Sequence, residues 1–358
     1  MSIIHSLGLA AIKTLAPETA HDVSIKALKM RLGPKHCQEY PSLQTKLGGL
    51  NLPNPVGLAA GFDKDAEVPD ALLAAGFGFV ECGSVTPRAQ AGNPKPRLFR
   101  LTEDRAVINR MGFNNHGLEE FTKNLKARAH RGGIVGANLG ANKDSPDRAA
   151  DYVTGLKSLW ELADYFTVNI SSPNTPGLRG LQDRDALDDL LARINEARTN
   201  LSGDNPAKPI FLKVAPDLDF AQIESITEQA RTYGISGLII SNTTLARPKS
   251  LKNHHKNESG GLSGAPLLHK STEILAQFYS VSNGEIPLIG VGGITNANDA
   301  YLKIRAGASA VQIYSALVFE GLSLAAHICE GLTARLKHDG FSHISEAVGT
   351  LDPRQHAQ

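Results

Sequence analysis

From about Leu43 onward the chain repeats one pattern: a short apolar run, closing near a Gly, Ser, Asn or Lys, followed by a helix-like segment. The runs are 54–60, 78–84, 134–138, 165–170, 210–214, 237–241, 287–291 and 310–314, eight in all. Each is nearly continuous in apolar character and often β-branched, as expected of parallel strands covered on both faces. Helical periodicity falls between them, at 65–75, 117–130, 147–163, 183–199, 219–233, 267–281 and 296–305, with a further helix-like run at 316–333. Eight strands alternating with helices predict an α/β chain folded as a (β/α)8 TIM barrel, with an open doubly wound sheet as the alternative. Such a barrel takes about 250 residues, so a chain of 358 leaves room for an attachment.

The attachment is N-terminal. Ile3, Ile4, Leu7, Ala11 and Leu15 fall roughly on one helical stripe, and Pro17 suits the first turn of a second helix carrying Ala20, Val23, Ala27 and Met30. The expected organisation is a helical extension over 1–40, a barrel over 41–340 and a tail over 341–358. Residues 1–40 carry five basic and three acidic side chains, so the helices suit either an anionic membrane surface or simple docking on their own barrel. Spacing alone favours docking.

Charge and cysteine usage narrow the function. A net charge of +1 gives the whole chain no electrostatic pull on nucleic acid. Cys37, Cys82 and Cys329 are odd in number and widely spaced, which suits a reducing compartment. No basic region precedes an apolar core at the start, the first arginine is Arg31, and no run of about 18–20 apolar residues occurs. The expectation is a protein of the cytoplasm or of a cytoplasmic membrane face.

A barrel places function at the C-terminal ends of its strands. Polar residues gather there: Lys64, Ser84, Asn138, Asn169, Lys213, Ser241, Asn242, Thr243, Tyr314 and Ser315. The run NISSPNTPG (169–177) combines a proline-stiffened turn with Asn169, Ser171, Ser172, Asn174 and Thr175. NRMGFNN (109–115) adds Asn109, Asn114 and Asn115 on a long connection of the kind that forms substrate loops. Asparagine offers a donor and an acceptor, which suits a planar ligand edged with amides and carbonyls. The glycines of VGGI (291–294), with Tyr314 and Ser315 before the last helix-like run, occupy the usual phosphate position of this fold, and GGLSG (260–264) can add a third backbone cradle. No HExxH, CxxC or GxGxxG pattern is present at the required places, so neither a catalytic metal nor a Rossmann-type nicotinamide site is expected. The residues themselves thus describe a barrel binding a phosphorylated cofactor and a small planar substrate. A non-redox isomerase or aldolase with Lys213 as Schiff-base former stays open at this point.

AAGFDKD (59–65), INRMGFNN (108–115), NISSPNTPGLR (169–179), LKVAPDL (212–218), SNTT (241–244), GGLSG, VGGI and QIYSAL (312–317) resemble, in order, the motifs of dihydroorotate dehydrogenases. The helical N-terminus resembles the extension of the quinone-dependent class of that family. The resemblance implies FMN held by Ala60, Gly61, Lys64, Ser84, Asn138, Asn169, Lys213, Ser241, Gly264, Gly293, Tyr314 and Ser315. Ser84 and Ser241 stand where the family pattern has threonine, and both keep the hydroxyl. Around dihydroorotate it implies Lys64, Asn109, Arg110, Met111, Gly112, Phe113, Asn169, Asn174, Asn242 and Thr243.

The implied reaction takes a proton from C5 of (S)-dihydroorotate and a hydride from C6. Ser172 is implied as the base, with Thr175 or a buried water relaying its proton. The soluble class carries cysteine in that loop and this chain does not, a second feature of the quinone class. Also implied are a quinone tunnel at the N-terminal helices, with Arg100 as a charged wall residue, and peripheral attachment to the cytoplasmic face of the inner membrane. A monomer with no nucleic-acid partner is the accompanying expectation. A soluble flavin dehydrogenase with another acceptor is the alternative within redox enzymes.

Overall fold

The computed structural model describes residues 12–351. Ile3, Ile4, Leu7 and Ala11 of the first helical stripe lie outside the described residues. Eight parallel strands close a barrel in sequence order: Val56–Leu58, Phe79–Val85, Ile134–Leu139, Tyr165–Asn169, Ile210–Val214, Gly237–Ile240, Leu288–Val291 and Ala310–Ile313. The last pairs with the first through Val311 and Val56, which completes the ring. All eight apolar runs are therefore barrel strands, and the open-sheet alternative falls.

Alternation along the strands divides the barrel into an outer core and an inner stack. Val80, Cys82, Phe166, Val168, Leu212 and Val214 face outward into the main core beneath the helices. Phe79, Tyr165 and Phe211 belong to a second cluster with Leu47 and Leu52, and their rings meet edge to face at 6.3 and 5.4 Å. Two residues further along the same strands, the inward positions are Glu81, Thr167 and Lys213, all buried. The interior thus passes from an aromatic layer to a polar one before it reaches the mouth. The hairpin Thr45–Leu47 and Leu50–Leu52, absent from the sequence expectation, supplies Leu47 and Leu52 to the aromatic cluster.

Two helices depart from their expected spans. The segment expected as 65–75 is helical only over Pro69–Ala74. The Asp63 carboxylate accepts the N–H groups of Glu67 (2.8 Å) and Val68 (2.9 Å), holding the preceding residues in a turn. The run expected over 316–333 divides into Leu317–Glu320 and Leu324–Asp339. Gly321, at φ 76°, turns the chain out of the helix between them.

Three strands with no counterpart in the sequence reading form an antiparallel sheet outside the barrel: Leu98–Leu101, Ala106–Asn109 and Gly261–Gly264. It has its own small core, including Phe99, Leu101, Ile108 and Leu262. The helix Pro17–Lys29 buries Ala20, Ile25 and Leu28. Glu18 ties it down by accepting from the Arg97 guanidinium at 3.1 and 3.3 Å. At the other end of the chain Ile344 and Ala347 are buried, and Leu351 N–H donates to the Arg305 carbonyl at 2.8 Å.

Candidate active site

A cavity of about 780 Å³ begins at the C-terminal ends of the barrel strands and extends to the helix Pro17–Lys29. Arg100, Asn109 and Gly264 of the three-stranded sheet form part of its wall, and Pro17, Ala20 and Leu28 line its far end. A polar floor at the strand ends therefore continues into an apolar passage.

Ordered amides build the floor. Asn169 ends the fourth barrel strand; its Nδ2 donates to Ser84 Oγ (3.0 Å) and to Asn138 Oδ1 (3.2 Å). Its Oδ1 accepts from Ser171 Oγ at 2.9 Å, and that hydroxyl accepts from Asn242 Nδ2 at 2.9 Å. Asn174 Nδ2 donates to Asn109 Oδ1 at 3.0 Å, joining the fourth-strand loop to the outer sheet. Tyr152 OH donates to the Asn169 carbonyl at 2.6 Å and anchors the strand end to a helix. Ser172 is 6% exposed; its Oγ accepts the Asn174 N–H at 3.3 Å and lines the cavity.

Arg179 fixes this loop from behind. Its guanidinium donates to the Ser171 carbonyl (3.1 Å), the Thr243 carbonyl (2.9 Å) and Asp217 (3.0 Å). Asp217 also accepts from Thr244 Oγ1 and Lys270 Nζ, both at 2.5 Å. The loops after strands four, five and six are consequently one hydrogen-bonded unit.

Two lysines set the electrostatics, Lys213 buried and Lys64 half-buried. Burial pushes Lys64 down to about 8, against the attraction of Asp65, Asp22 and other carboxylates. Its Nζ lies 3.2 Å from His21 Nε2. Burial, with Lys64 adding, holds His21 near 3, so the neutral ring accepts from the ammonium. Burial also lowers Lys213, and Glu81 opposes this. Glu81 is enclosed by donors: Asn138 Nδ2 (2.7 Å), Gln312 Nε2 (2.8 Å), Thr167 Oγ1 (3.0 Å) and Tyr165 OH (3.4 Å). A buried carboxylate so fully hydrogen-bonded is a rigid counter-charge beneath the mouth.

Most residues singled out from sequence line the cavity. Among the proposed cofactor residues these are Ala60, Gly61, Lys64, Ser84, Asn169, Lys213, Ser241, Gly264, Gly293, Tyr314 and Ser315. Asn109, Met111, Gly112, Phe113, Asn174, Asn242, Thr243 and Ser172 line it as well. Asn115, Ser171 and Thr175, which the motifs also offered, are buried outside the lining, and two of the proposed cofactor and substrate residues are placed elsewhere. Arg110 points away from its inward neighbours Asn109 and Met111; its guanidinium meets Glu258 at 2.7 Å and lies over the Phe99 ring. Asn138 sits one layer below the cavity, accepting from Ser84 and Asn169 while donating to Glu81. It thereby orders Ser84 and Asn169, two groups of the cavity lining.

Glu81, Arg179 and His21 were not legible as site residues. For Glu81 a signal did exist: a lone carboxylate two residues beyond Phe79, in phase with the inward face of an otherwise apolar strand. Among the described residues no three His, Cys, Asp or Glu side chains gather as a metal ion would require.

The lining fits the FMN implied by the sequence motifs. A side chain at Gly61 would lie 3.2 Å from the Tyr314 ring, and one at Gly293 would lie 2.3 Å from Leu268 Cα, with positive φ at both. Close packing of these turns on Tyr314 and Leu268, together with the positive φ, therefore requires glycine in the cavity wall. Asn114 Oδ1, Thr243 Oγ1 and Gln312 Oε1 are buried, line the cavity and have no protein partner among the described residues. Orphaned buried acceptors and hydroxyls of this kind mark a place for a polar ligand. The expected helix N-terminus after Ser315 is only the short Leu317–Glu320 turn, so Gly264, Gly293 and the Ser315 hydroxyl are the groups the lining would offer to a phosphate. Ser315 Oγ is held by Ser263 Oγ at 2.7 Å.

Known proteins bear on this site. The dihydroorotate dehydrogenase family model matches residues 42–336. A dihydroorotate dehydrogenase (quinone) of Erythrobacter litoralis is 54% identical over 97% of this chain and 100% of its own length. That of Parvibaculum lavamentivorans is 54% identical over 96% of this chain and 97% of its own. Among solved structures, a DHODH of Eimeria tenella in complex with ferulenol superposes with TM-score 0.90 at 38% identity, covering 96% of each chain. Barrel, motif order and near-complete alignment agree, and the chain belongs to the dihydroorotate dehydrogenase family.

Proposed function

We propose that this chain oxidises (S)-dihydroorotate to orotate in pyrimidine biosynthesis, with FMN at the barrel mouth and a membrane quinone as electron acceptor. The carrying observation is that Ser172, the asparagine network, Lys64 and the buried Lys213 face one cavity that continues to the N-terminal helix. When bound, the flavin supplies the hydride acceptor, chemistry that no side chain here performs.

The protein's part is orientation and proton transfer. Asn109, Asn174 and Asn242 present amide edges to a planar amide-bearing ring. Lys64 offers a desolvated ammonium to an anionic group, where a charge is worth far more than in water. Ser172 Oγ takes the C5 proton. A serine hydroxyl needs an outlet for its own proton, and Thr175, whose buried Oγ1 has no protein partner among the described residues, suits that relay.

The apolar passage beside Pro17–Lys29 suits a quinone ring, with Arg100 at its wall. Met30 and Leu32 are 65% and 61% exposed beside Lys29 and Arg31. This is the composition of a surface that rests on anionic lipid. No helix among the described residues is long and apolar enough to cross a membrane. Peripheral attachment to a membrane surface is the reading these features support; the cytoplasmic face of the inner membrane and a monomeric state complete the proposal.

Dihydroorotate oxidation assayed with quinone, fumarate and NAD⁺ as competing acceptors tests it, quinone being expected to support turnover. A protein that is colourless and cannot be reconstituted with FMN sinks the redox reading. Deleting residues 1–40 is expected to abolish quinone reduction while a soluble artificial acceptor still works. Full quinone activity in that truncation argues against the passage.

A further inference from the structure

Lys303, on the helix Ala297–Arg305, is fully buried outside the barrel wall. Its stem crosses the seventh strand where that strand is glycine: a side chain at Gly290 would lie 3.0 Å from Lys303 Cδ. Among the described residues it forms no ion pair; its Nζ donates instead to Ser271 Oγ (2.7 Å) and Thr272 Oγ1 (3.1 Å). A buried ammonium held only by hydroxyls is costly, and a methionine would fill the same space without that cost. Local packing therefore does not account for a lysine here.

The hydroxyl it grips leads to the cofactor cradle. Ser271 Oγ shares its single proton between two acceptors, the Gly292 carbonyl oxygen at 3.0 Å and the Leu268 carbonyl oxygen of its own helix at 3.1 Å. In a trans peptide the C=O and the following N–H point in opposite directions. Drawing the Gly292 carbonyl back toward Ser271 thus turns the Gly293 N–H the other way, and Gly292 and Gly293 both line the cavity.

We propose that Lys303 is a positioning residue for the phosphate of the flavin: through Ser271 it sets the Gly292–Gly293 peptide and places a buried positive charge behind the cradle. The inference rests on the FMN reading above. Burial lowers Lys303 to about 7, with Asp299 opposing, and a nearby phosphate dianion would favour the charged form.

The test measures flavin affinity of the full-length apoprotein by fluorescence quenching, for FMN and for riboflavin, which lacks the phosphate. Lys303→Met is expected to weaken FMN about tenfold, the lower end of the loss seen when an outer-shell partner is removed at a metal site, while leaving riboflavin affinity unchanged. Ser271→Ala, which keeps the lysine and frees the Gly292 carbonyl, is expected to act in the same direction and decides the matter if Lys303→Met does not fold. Unchanged FMN affinity in the folded variants overturns the inference, and so does an equal loss for both flavins, which would mark a general structural role. Wild-type protein that binds neither flavin overturns the cofactor reading itself, and this inference with it.

Discussion

Arg179 and Asp217 form an ion pair of 3.0 Å that ties the loop carrying Ser172 to the loops after the fifth and sixth strands. Each partner is about one-fifth exposed, so the pair acts less as a stabilising charge contact than as a geometric clamp on Ser171 and Thr243. Arg179→Lys keeps the charge and loses the fork. It is expected to lower kcat by up to about 100-fold, the scale of a misplaced catalytic group, with FMN retained. Steady-state kinetics beside flavin content check this, and unchanged kcat would refute the clamp.

The same pair has an acid limit. Burial raises Asp217, but hydrogen bonds from Lys270, Thr244, Leu245 and Arg179 outweigh it and hold the carboxyl below its ordinary 3.8. A depressed folded pKa means that the unfolded chain binds the proton more readily. The contribution is therefore complete above the ordinary value and lost as pH falls below it. Thermal melts from pH 6 to pH 3 should show Asp217→Asn losing less stability on acidification than wild type.

Ser172→Ala removes the proposed base without opening the floor, because Asn169, Ser171 and Asn242 bond to one another independently of it. Flavin reduction by dihydroorotate is expected to slow by about 10²–10⁴-fold, the range for losing a general base, with the flavin spectrum intact. Near-normal reduction in a stopped-flow experiment would remove Ser172 from the mechanism.

Lys64 lies below its unfolded value of 10.5, at about 8. The unfolded chain therefore binds more protons between those values, and the stability of the apoprotein should rise with pH across that window. Lys64→Met abolishes the burial cost and flattens the rise. Its Tm at pH 7 is expected to increase, on the order of 5 °C for a chain of this size, while substrate binding is lost. A Tm below wild type would show that the ammonium stabilises the empty site.

Glu81→Gln leaves Lys213 without the carboxylate that favours its charge and turns one acceptor of the Asn138, Thr167 and Gln312 hydrogen bonds into a donor. Breaking a buried charge arrangement costs about 3–5 kcal/mol, so urea denaturation should show a loss of that order. A loss below about 1 kcal/mol, the scale of one ordinary hydrogen bond, would mean that the polar layer is not electrostatically coupled.

The sequence by itself determined the barrel, because each strand is written as a short, nearly continuous apolar run and each helix in a local period of 3.6 residues. It also pointed to the end that bears the candidate site, since Asn169, Ser172, Lys213, Ser241 and Ser315 all lie at or just beyond the ends of apolar runs. Boundaries failed where a side chain or a glycine overrode periodicity, as with Asp63 at the turn before Pro69 and Gly321 within 316–333. Only the tertiary structure decided the rest. The outer sheet pairs Ile108 with Leu262 across a long stretch of chain, and no local period encodes a partner so distant. Whether a given charge faces inward is likewise set by how distant elements meet. Arg110 turns out to Glu258, whereas Glu81 and Lys303 are enclosed. Ser172, one hydroxyl in a turn-forming run, faces the cavity because Arg179 and Asp217, far from each other in sequence, close behind its loop.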